Sequence, residues 1–377
     1  MKFIHTSDWH LGRQFHNVSL LEDQRHVLAQ LIGHIEREAV DAVIVSGDIY
    51  DRSVPPALAV ELLDDVLHTI CSELGVPVLI IPGNHDGAER LRFASRQLSK
   101  AGLHILGDLG RITEPVVLCD VAFYGIPYND PESVRNRFGV EVTGHDEAHG
   151  YLVEQIKAAK AGNRPAVLLS HCFIDGATES ESERPLSIGG ADRVDAEPFA
   201  DFDYVALGHL HSPQWKGCEH IRYSGSILKY SFSEQHHNKG VTLVELDGNG
   251  FKSATHLSLQ PLRDMRVLEG ELATLIEQGK TDPNNEDYLL IRLADKHAIL
   301  DPMGKLREVY PNVLHLEKPG MMETGEQRAD REKLKRGELE MFRDFFQQVA
   351  GQELTPEQDE AVRRTIATLH KGEGERV

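Results

Sequence analysis

The feature that most constrains this chain is a set of five short polar motifs, each placed directly after a run that reads as a buried β-strand. Lys2–Thr6 is followed by Ser7-Asp8-Trp9-His10, and Asp41–Ser46 by Gly47-Asp48-Ile49-Tyr50-Asp51. Val76–Ile81 leads into Pro82-Gly83-Asn84-His85-Asp86, Ala166–Ser170 into His171, and Tyr204–Leu207 into Gly208-His209-Leu210-His211. Between the first strands lie helical patterns. Leu28, Leu31, Ile32 and Ile35 repeat at i, i+3, i+4, i+7, and a second helix is expected from about Pro56 to Leu74. Short β-branched runs alternating with helices predict an α/β layer with a largely parallel central sheet. In such a sheet, the loops beyond the carboxyl ends of the strands open onto one crevice.

That crevice would gather Asp8, His10, Asp48, Asn84, His171, His209 and His211. Seven nitrogen and oxygen donors are too many for one tetrahedral zinc. They suit two borderline-hard ions such as Mn²⁺ sharing a bridging carboxylate. Gly47, Gly83 and Gly208 would let the backbone turn sharply before each ligand. Singly, each motif has an ordinary explanation. Gly-Asp after a strand makes a turn, Asn84-His85 can cap a helix, and His-x-His on a strand shares a face by period alone. Their joint occurrence in this order, each at a strand end, is what points to a metal site.

Past His211 the spacing shortens, and Ile221–Ser224, Val241–Leu246 and Lys252–Leu257 read as meander strands. A boundary is expected near Pro261-Leu262, giving a domain over 1–260. A small capping domain over 261–320 would hold strand Arg266–Glu269, helix Leu272–Gln278, strand Tyr288–Leu293, helix Asp301–Tyr310 and strand Asn312–Leu316. Residues 321–335 read as a charged linker, and 336–377 as a helical tail. Leu339, Phe342, Phe345, Phe346 and Val349 form one apolar stripe of that tail, with Val362, Ile366 and Leu369 forming another. Thr355-Pro356-Glu357-Gln358 has the spacing of a capping box. Gly279-Lys280-Thr281 ends like a phosphate-binding loop, but position 274 is Thr274 where the motif needs glycine, so it reads as a helix stop.

Charge narrows the partners. Forty Lys+Arg against sixty Asp+Glu gives −20, so a polyanion could be held only by local positive charge. No run approaches the roughly 18 apolar residues of a membrane span. The start of the chain is too polar for a signal h-region, and Cys71, Cys119, Cys172 and Cys218 are scattered. A cytoplasmic protein is expected.

The ordered set D-x-H, G-D-x-x-D, G-N-H-D, lone H and G-H-x-H resembles the calcineurin-like metallophosphoesterases. Thr6–Gly12, Asp203–His209 and Arg222–Ser226 are similar to one branch of them, the SbcD family of bacterial nuclease subunits, over roughly residues 1–260. Archaeal and eukaryotic relatives tend to carry His where this chain has Asp51, which favours the bacterial branch. The resemblance implies a two-sheet sandwich flanked by helices, with a small α+β capping domain and a C-terminal helical tail. It implies two metal ions, most simply Mn²⁺. One would be held by Asp8, His10, Asp48 and His211, and the other by Asp48, Asn84, His171 and His209. It gives His85 a catalytic role on the substrate phosphate and leaving group. Asp86 is a candidate orienting carboxylate for an imidazole of that loop. The implied partners are DNA ends and hairpins, and an SbcC-type ATPase whose coiled-coil base would receive the tail stripe. A homodimer within a heterotetramer is the implied assembly.

Arg13, Arg52 and Arg90 each follow a metal loop. They read as solvent-facing arginines or, alternatively, as contacts to DNA phosphates. The acidic stretch Asp175, Glu179, Glu181, Glu183 reads as a solvated loop. Two other functions compete: a free-standing phosphoesterase acting on small nucleotides or phosphoproteins, and a DNA-end scaffold with an inactive metal site. The segments after 261 argue against the first, and the unbroken donor set argues against the second.

Overall fold

Runs such as AVIVS, VLII and AVLLS are apolar on both strand faces, so both faces must be covered. The computed structural model meets that demand by stacking two sheets instead of building one central sheet. It describes the chain except residues 161, 163, 184–191, 296, 298, 319–338, 340, 341, 344, 345, 348–351 and 374–377. Two compact units result, Met1–Met265 and Arg266–Val377.

In the first unit the elements are β1 (Lys2–Thr6), α1 (Leu21–Glu38), β2 (Ala42–Ser46), α2 (Ala57–Leu67), β3 (Val78–Ile81), β4 (Leu103–Ile105), β5 (Val116–Leu118), β6 (Val121–Ile126), α3 (His145–Ala159), β7 (Ala166–His171), β8 (Tyr204–Gly208), β9 (Gln214–Lys216), β10 (Cys218–Tyr223), β11 (Gly240–Asp247) and β12 (Gly250–Ser258). One six-stranded sheet runs β12-β11-β1-β2-β3-β4, and the other runs β9-β10-β8-β7-β6-β5. The inner strands of each are parallel, with Ile4 opposite Val43 in one and Val205 opposite Leu168 in the other. Phe3, Ile44, Leu79 and Ile81 pack face to face with Phe123, Val167, Leu169 and Ala206 between the sheets. The outer face of the second sheet is covered by Leu152, Val153 and Ile156 of α3, which meet Tyr124, Leu168 and Val205. α1 buries Leu28, Leu31 and Ile35 of the expected stripe together with Val27, while Ile32 is only half-buried.

The expected meander holds for β11 and β12, which pair antiparallel, and is corrected for β10. β10 pairs in parallel with β8, whereas β11 pairs with β1 in the other sheet. The chain therefore changes sheets between Tyr223 and Gly240. Local periodicity marks a strand but carries nothing about which edge accepts it.

In the second unit, β13 (Met265–Gly270), β14 (Tyr288–Leu293) and β15 (Val313–Glu317) form a three-stranded sheet with β14 central. Leu275 of α4 (Leu272–Gly279) and Leu306 of α5 (Pro302–Arg307) pack on Leu289, Ile291 and Val313. Gly279 ends α4, which agrees with reading Gly279-Lys280-Thr281 as a helix stop. The capping box forms at the start of α6 (Pro356–Glu373): Thr355 N–H donates to Gln358 Oε1 at 2.9 Å, and Gln358 N–H to Thr355 Oγ1 at 3.3 Å. Arg343 joins Asp359 of α6 at 2.6 and 2.7 Å. The linker 321–335, Phe345 and Val349, and the side chains of Ile366 and Leu369, lie outside the described residues.

Candidate metal centre

The motif loops are built under backbone strain. Asp8, His10, Asp48 and His209 all have positive φ, at 53°, 47°, 50° and 105°. Left-handed backbone at non-glycine residues costs about 1–3 kcal/mol each and persists only where surroundings enforce it. Here the loops after β1 and β2 zip together. Asp8 N–H donates to Gly47 O at 3.1 Å and His10 N–H to Asp48 O at 2.9 Å. Gly47 turns at φ +94°, and a side chain on Gly208 would collide with Ser46 O.

Strands of both sheets deliver the side chains to one place. The donor atoms of Asp8, His10 and His211 lie within 4.8 Å of one another, as do those of Asp8, Asp48 and His171. Asp48 Oδ2 stands between two imidazoles, 3.6 Å from His10 Nε2 and 3.5 Å from His171 Nε2. Asn84 Oδ1 is 2.9 Å from His171 Nε2. The His209 ring lies against that of His171, centroids 5.5 Å apart. His10 Nε2 and His211 Nε2 face each other at 3.1 Å. His10 Nδ1 is buried without a hydrogen-bond partner. Imidazole nitrogens pointed at one another and a buried orphan nitrogen are what a cation-binding cluster leaves when only protein atoms are counted. The donor set fits a divalent metal site, since it is rich in imidazole and carboxylate, with six of the seven residues no more than 4% exposed.

Burial and mutual charge set the protonation. Burial raises Asp8 to about 6, against the pull of His171 and His211. Burial drives His10 and His209 well below the usual imidazole value. It also opposes charge on His171, but the Asp48 carboxylate more than reverses this and holds His171 at about 9. The Asp48 charge thus favours a protonated His171 in the metal-free chain, and as a candidate ligand it would have to release that proton on binding a metal. Metal affinity is thus expected to rise with pH, by roughly tenfold per unit between pH 7 and the His171 value of about 9. Calorimetry in buffers of different ionisation enthalpy should show a proton released on binding. Flat or falling affinity over that range would remove His171 from the ligand set.

His85 lies beside the cluster, its ring 4.7 Å from that of His10. Its Nδ1 faces Asp51 O at 2.9 Å, and its backbone N–H donates to Asp48 Oδ1 at 2.9 Å. A carbonyl accepts only, so the ring proton sits on Nδ1 and Nε2 is left for proton exchange.

Asp86 does not orient an imidazole. Its carboxylate accepts backbone N–H bonds from Ile49 (3.1 Å), Tyr50 (2.9 Å) and Gly83 (2.8 Å), which ties the Asp48 loop to the Asn84 loop. Burial, and then the Asp48 charge, raise it to about 7. Arg13 is engaged rather than free. It donates to Asp51 Oδ1 at 3.2 Å and covers the Tyr230 ring at 4.9 Å. Arg52 is exposed, and Arg90 reaches Ser53 O at 3.3 Å from the surface. Glu183 is no solvated loop residue, because its Oε1 accepts the His211 N–H at 2.8 Å. Gln24 belongs to none of the sequence motifs, although its amide donates to the carbonyls of Trp9 (3.1 Å) and His10 (2.8 Å). A polar residue on the apolar face of α1 is the only signal the sequence holds for it.

The family model for calcineurin-like phosphoesterases matches residues 1–213, and that for the type 5 capsule protein repressor C-terminal domain (SbcD_C) matches 261–350. The chain is 35% identical over 375 residues to the D component of the SbcCD nuclease of Staphylococcus epidermidis, covering 99% of this chain and all of that one. It is 33% identical to the protein of the same description from Staphylococcus saprophyticus, covering 98% of each. With the motif order, the buried donor cluster and a likeness running the full length of both chains, this protein belongs to the SbcD family of calcineurin-like phosphoesterases.

Proposed function

We propose that this chain is the nuclease subunit of an SbcC–SbcD-type assembly, using two Mn²⁺ ions to hydrolyse phosphodiester bonds at DNA ends and hairpins. One observation carries the reading: strands from both sheets bring Asp8, His10, Asp48, Asn84, His171, His209 and His211 into one cluster beside His85. Asp8, His10, Asp48 and His211 would hold one ion, and Asp48, Asn84, His171 and His209 the other. When bound, such a pair clamps a phosphodiester, activates water and stabilises the departing oxygen. The chain's own part is to hold the donors rigidly, exclude bulk water and move one proton. In its doubly protonated form His85 gives the Nε2 proton to the leaving oxygen and becomes the neutral Nδ1–H ring, which Asp51 O holds in place. Arg52 and Arg90, exposed beside the two central loops, are the proposed phosphate contacts; Arg13 is half-buried and braces Asp51, which Arg52 also reaches at 3.7 Å.

The test is digestion of a linear duplex and a hairpin with Mn²⁺, with and without an SbcC partner, against a panel of nucleotides. Cleavage of the nucleotides alone would favour the free-standing phosphoesterase. Binding of DNA without cleavage would favour the scaffold.

The homodimer is proposed from the family likeness alone. No helix among the described residues is long and apolar enough to cross a membrane. The four cysteines are free, which supports a reducing cytoplasm as the place of action.

Deleting residues 336–377 is expected to leave Mn²⁺-dependent cleavage of simple substrates near wild type, since every proposed ligand lies between Asp8 and His211. It should weaken SbcC association, because Phe342 of the tail stripe is 38% exposed and needs cover. A pull-down and a melting curve on the truncated chain separate the alternatives. An unchanged partner affinity with a large fall in melting temperature would assign the tail to packing within the chain.

A further inference from the structure

Every polar atom of His211 is in contact with a partner, and Nε2 alone faces another imidazole nitrogen, that of His10. Its backbone N–H donates to Glu183 Oε1 at 2.8 Å, and its carbonyl accepts from Lys239 Nζ at 2.7 Å. Its Nδ1 meets Ser182 Oγ at 2.6 Å. Behind that hydroxyl lies Glu234, which is 0% exposed and has Oε1 3.6 Å from Nδ1. Ser182 donates to this Glu234 oxygen. A carboxylate only accepts and a hydroxyl has one proton, so Ser182 must accept from His211. The neighbouring Ser180 does not compete, because its hydroxyl donates to Glu183 Oε2 at 2.6 Å. The relay therefore assigns a ring proton to Nδ1, so that in the neutral ring the lone pair lies on Nε2, 3.1 Å from His10 Nε2.

A buried carboxylate is costly without a counter-charge, and Lys239 supplies one 2.5 Å from Glu234 Oε2. Lys239 is itself buried and also donates to Ser226 Oγ at 2.8 Å. The pair braces its own loop, through the Tyr230 N–H and Ser231 Oγ that donate to Glu234 Oε1, and from there it reaches His211 twice. Here the lysine reaches the His211 carbonyl, the glutamate reaches its ring through Ser182, and both come from a chain segment more than twenty residues downstream.

We propose that Glu234 and Lys239, acting through Ser182, are positioning residues that hold His211 as the Nδ1–H tautomer with Nε2 toward the donor cluster, and so set the affinity of one metal subsite. The metal half of this inference rests on His211 being a ligand, as proposed above. The tautomer half is a property of the metal-free chain.

The test uses the full chain with Ser182→Ala, Glu234→Gln and the double variant Glu234→Gln/Lys239→Met. Ser182→Ala keeps the Glu234–Lys239 pair, so it remains informative if a charge variant fails to fold. The ring ¹⁵N shifts of His211 are read without metal, and Mn²⁺ is then titrated calorimetrically. Wild type should show a protonated Nδ1 and a bare Nε2. Ser182→Ala and Glu234→Gln should mix the tautomers and weaken one Mn²⁺ site by about 10–100-fold while sparing the other. Wild-type ring shifts and two wild-type affinities in both variants would overturn the proposal, as would a wild-type His211 protonated at Nε2. A wild-type chain that takes up no Mn²⁺ would instead overturn the metal assignment, and the ring shifts would still decide the tautomer.

Discussion

Asp48→Ala is expected to abolish both metal binding and phosphodiester hydrolysis while leaving the fold in place. Asp48 stands between imidazoles of both proposed subsites, at 3.6 Å from His10 Nε2 and 3.5 Å from His171 Nε2, and Asp8 likewise lies within 4.8 Å of donors of His10, His211 and His171. Two dications held close together repel, and a shared anion offsets that repulsion, so neither ion is well held without it. The same residue accepts the His85 N–H at 2.9 Å, so its loss also loosens the proton donor. The core between the sheets does not use this side chain. The backbone there has φ 50°, which alanine tolerates at a cost of about 1–2 kcal/mol. Asp48→Asn, which accepts that backbone better, separates charge from strain and should fail equally in metal binding. Metal content by mass spectrometry, turnover on a duplex and a melting curve decide the matter. Full metal content with wild-type turnover in Asp48→Ala would end the dinuclear assignment.

His85→Ala is expected to keep both metals and DNA binding but slow the chemical step by on the order of 10²–10⁴-fold, the usual contribution of a positioned general acid. His85 lies next to the proposed ligands, with a donor atom within 4.8 Å of those of His10 and Asp51, and differs from them in its hydrogen bonding. Its Nδ1 is committed to Asp51 O at 2.9 Å, and it is more exposed than His10, which it touches edge-on. Single-turnover rates with metal titrated in parallel measure the two effects independently. Activity restored by excess Mn²⁺ would make His85 a ligand and transfer the proton to another group.

The strand runs, the α1 stripe and the capping box at Thr355 are readable because each is written in contiguous residues. A strand repeats every second position and a helix every 3.6, and a cap needs partners three residues apart. The candidate donors are readable for a related reason: each follows a strand end, where a parallel sheet opens its loops. By the same token β6 and α3 give no separate reading, although they build much of the second core, since apolar content without a polar motif says little about where a segment belongs.

What lies beyond reading is everything decided by distant pairing. Asp86 stands next to His85 in the chain and so reads as a carboxylate for an imidazole, yet its partners include backbone groups of Ile49 and Tyr50 in the preceding loop. Glu183 resembles the other acids of its stretch until His211 is found on its Oε1. Glu234 and Lys239 sit in a segment with no motif of its own, and matter because the chain crosses between sheets and folds that segment beneath Gly208–His211. The strands, the order of the motif loops and the chemistry of their donors can be read from the residues alone, because backbone period and side-chain chemistry are local. Only the tertiary structure decided that two sheets share the site, which donors face each other and which buried charges hold them, because those contacts join residues up to two hundred positions apart and leave no period in the chain.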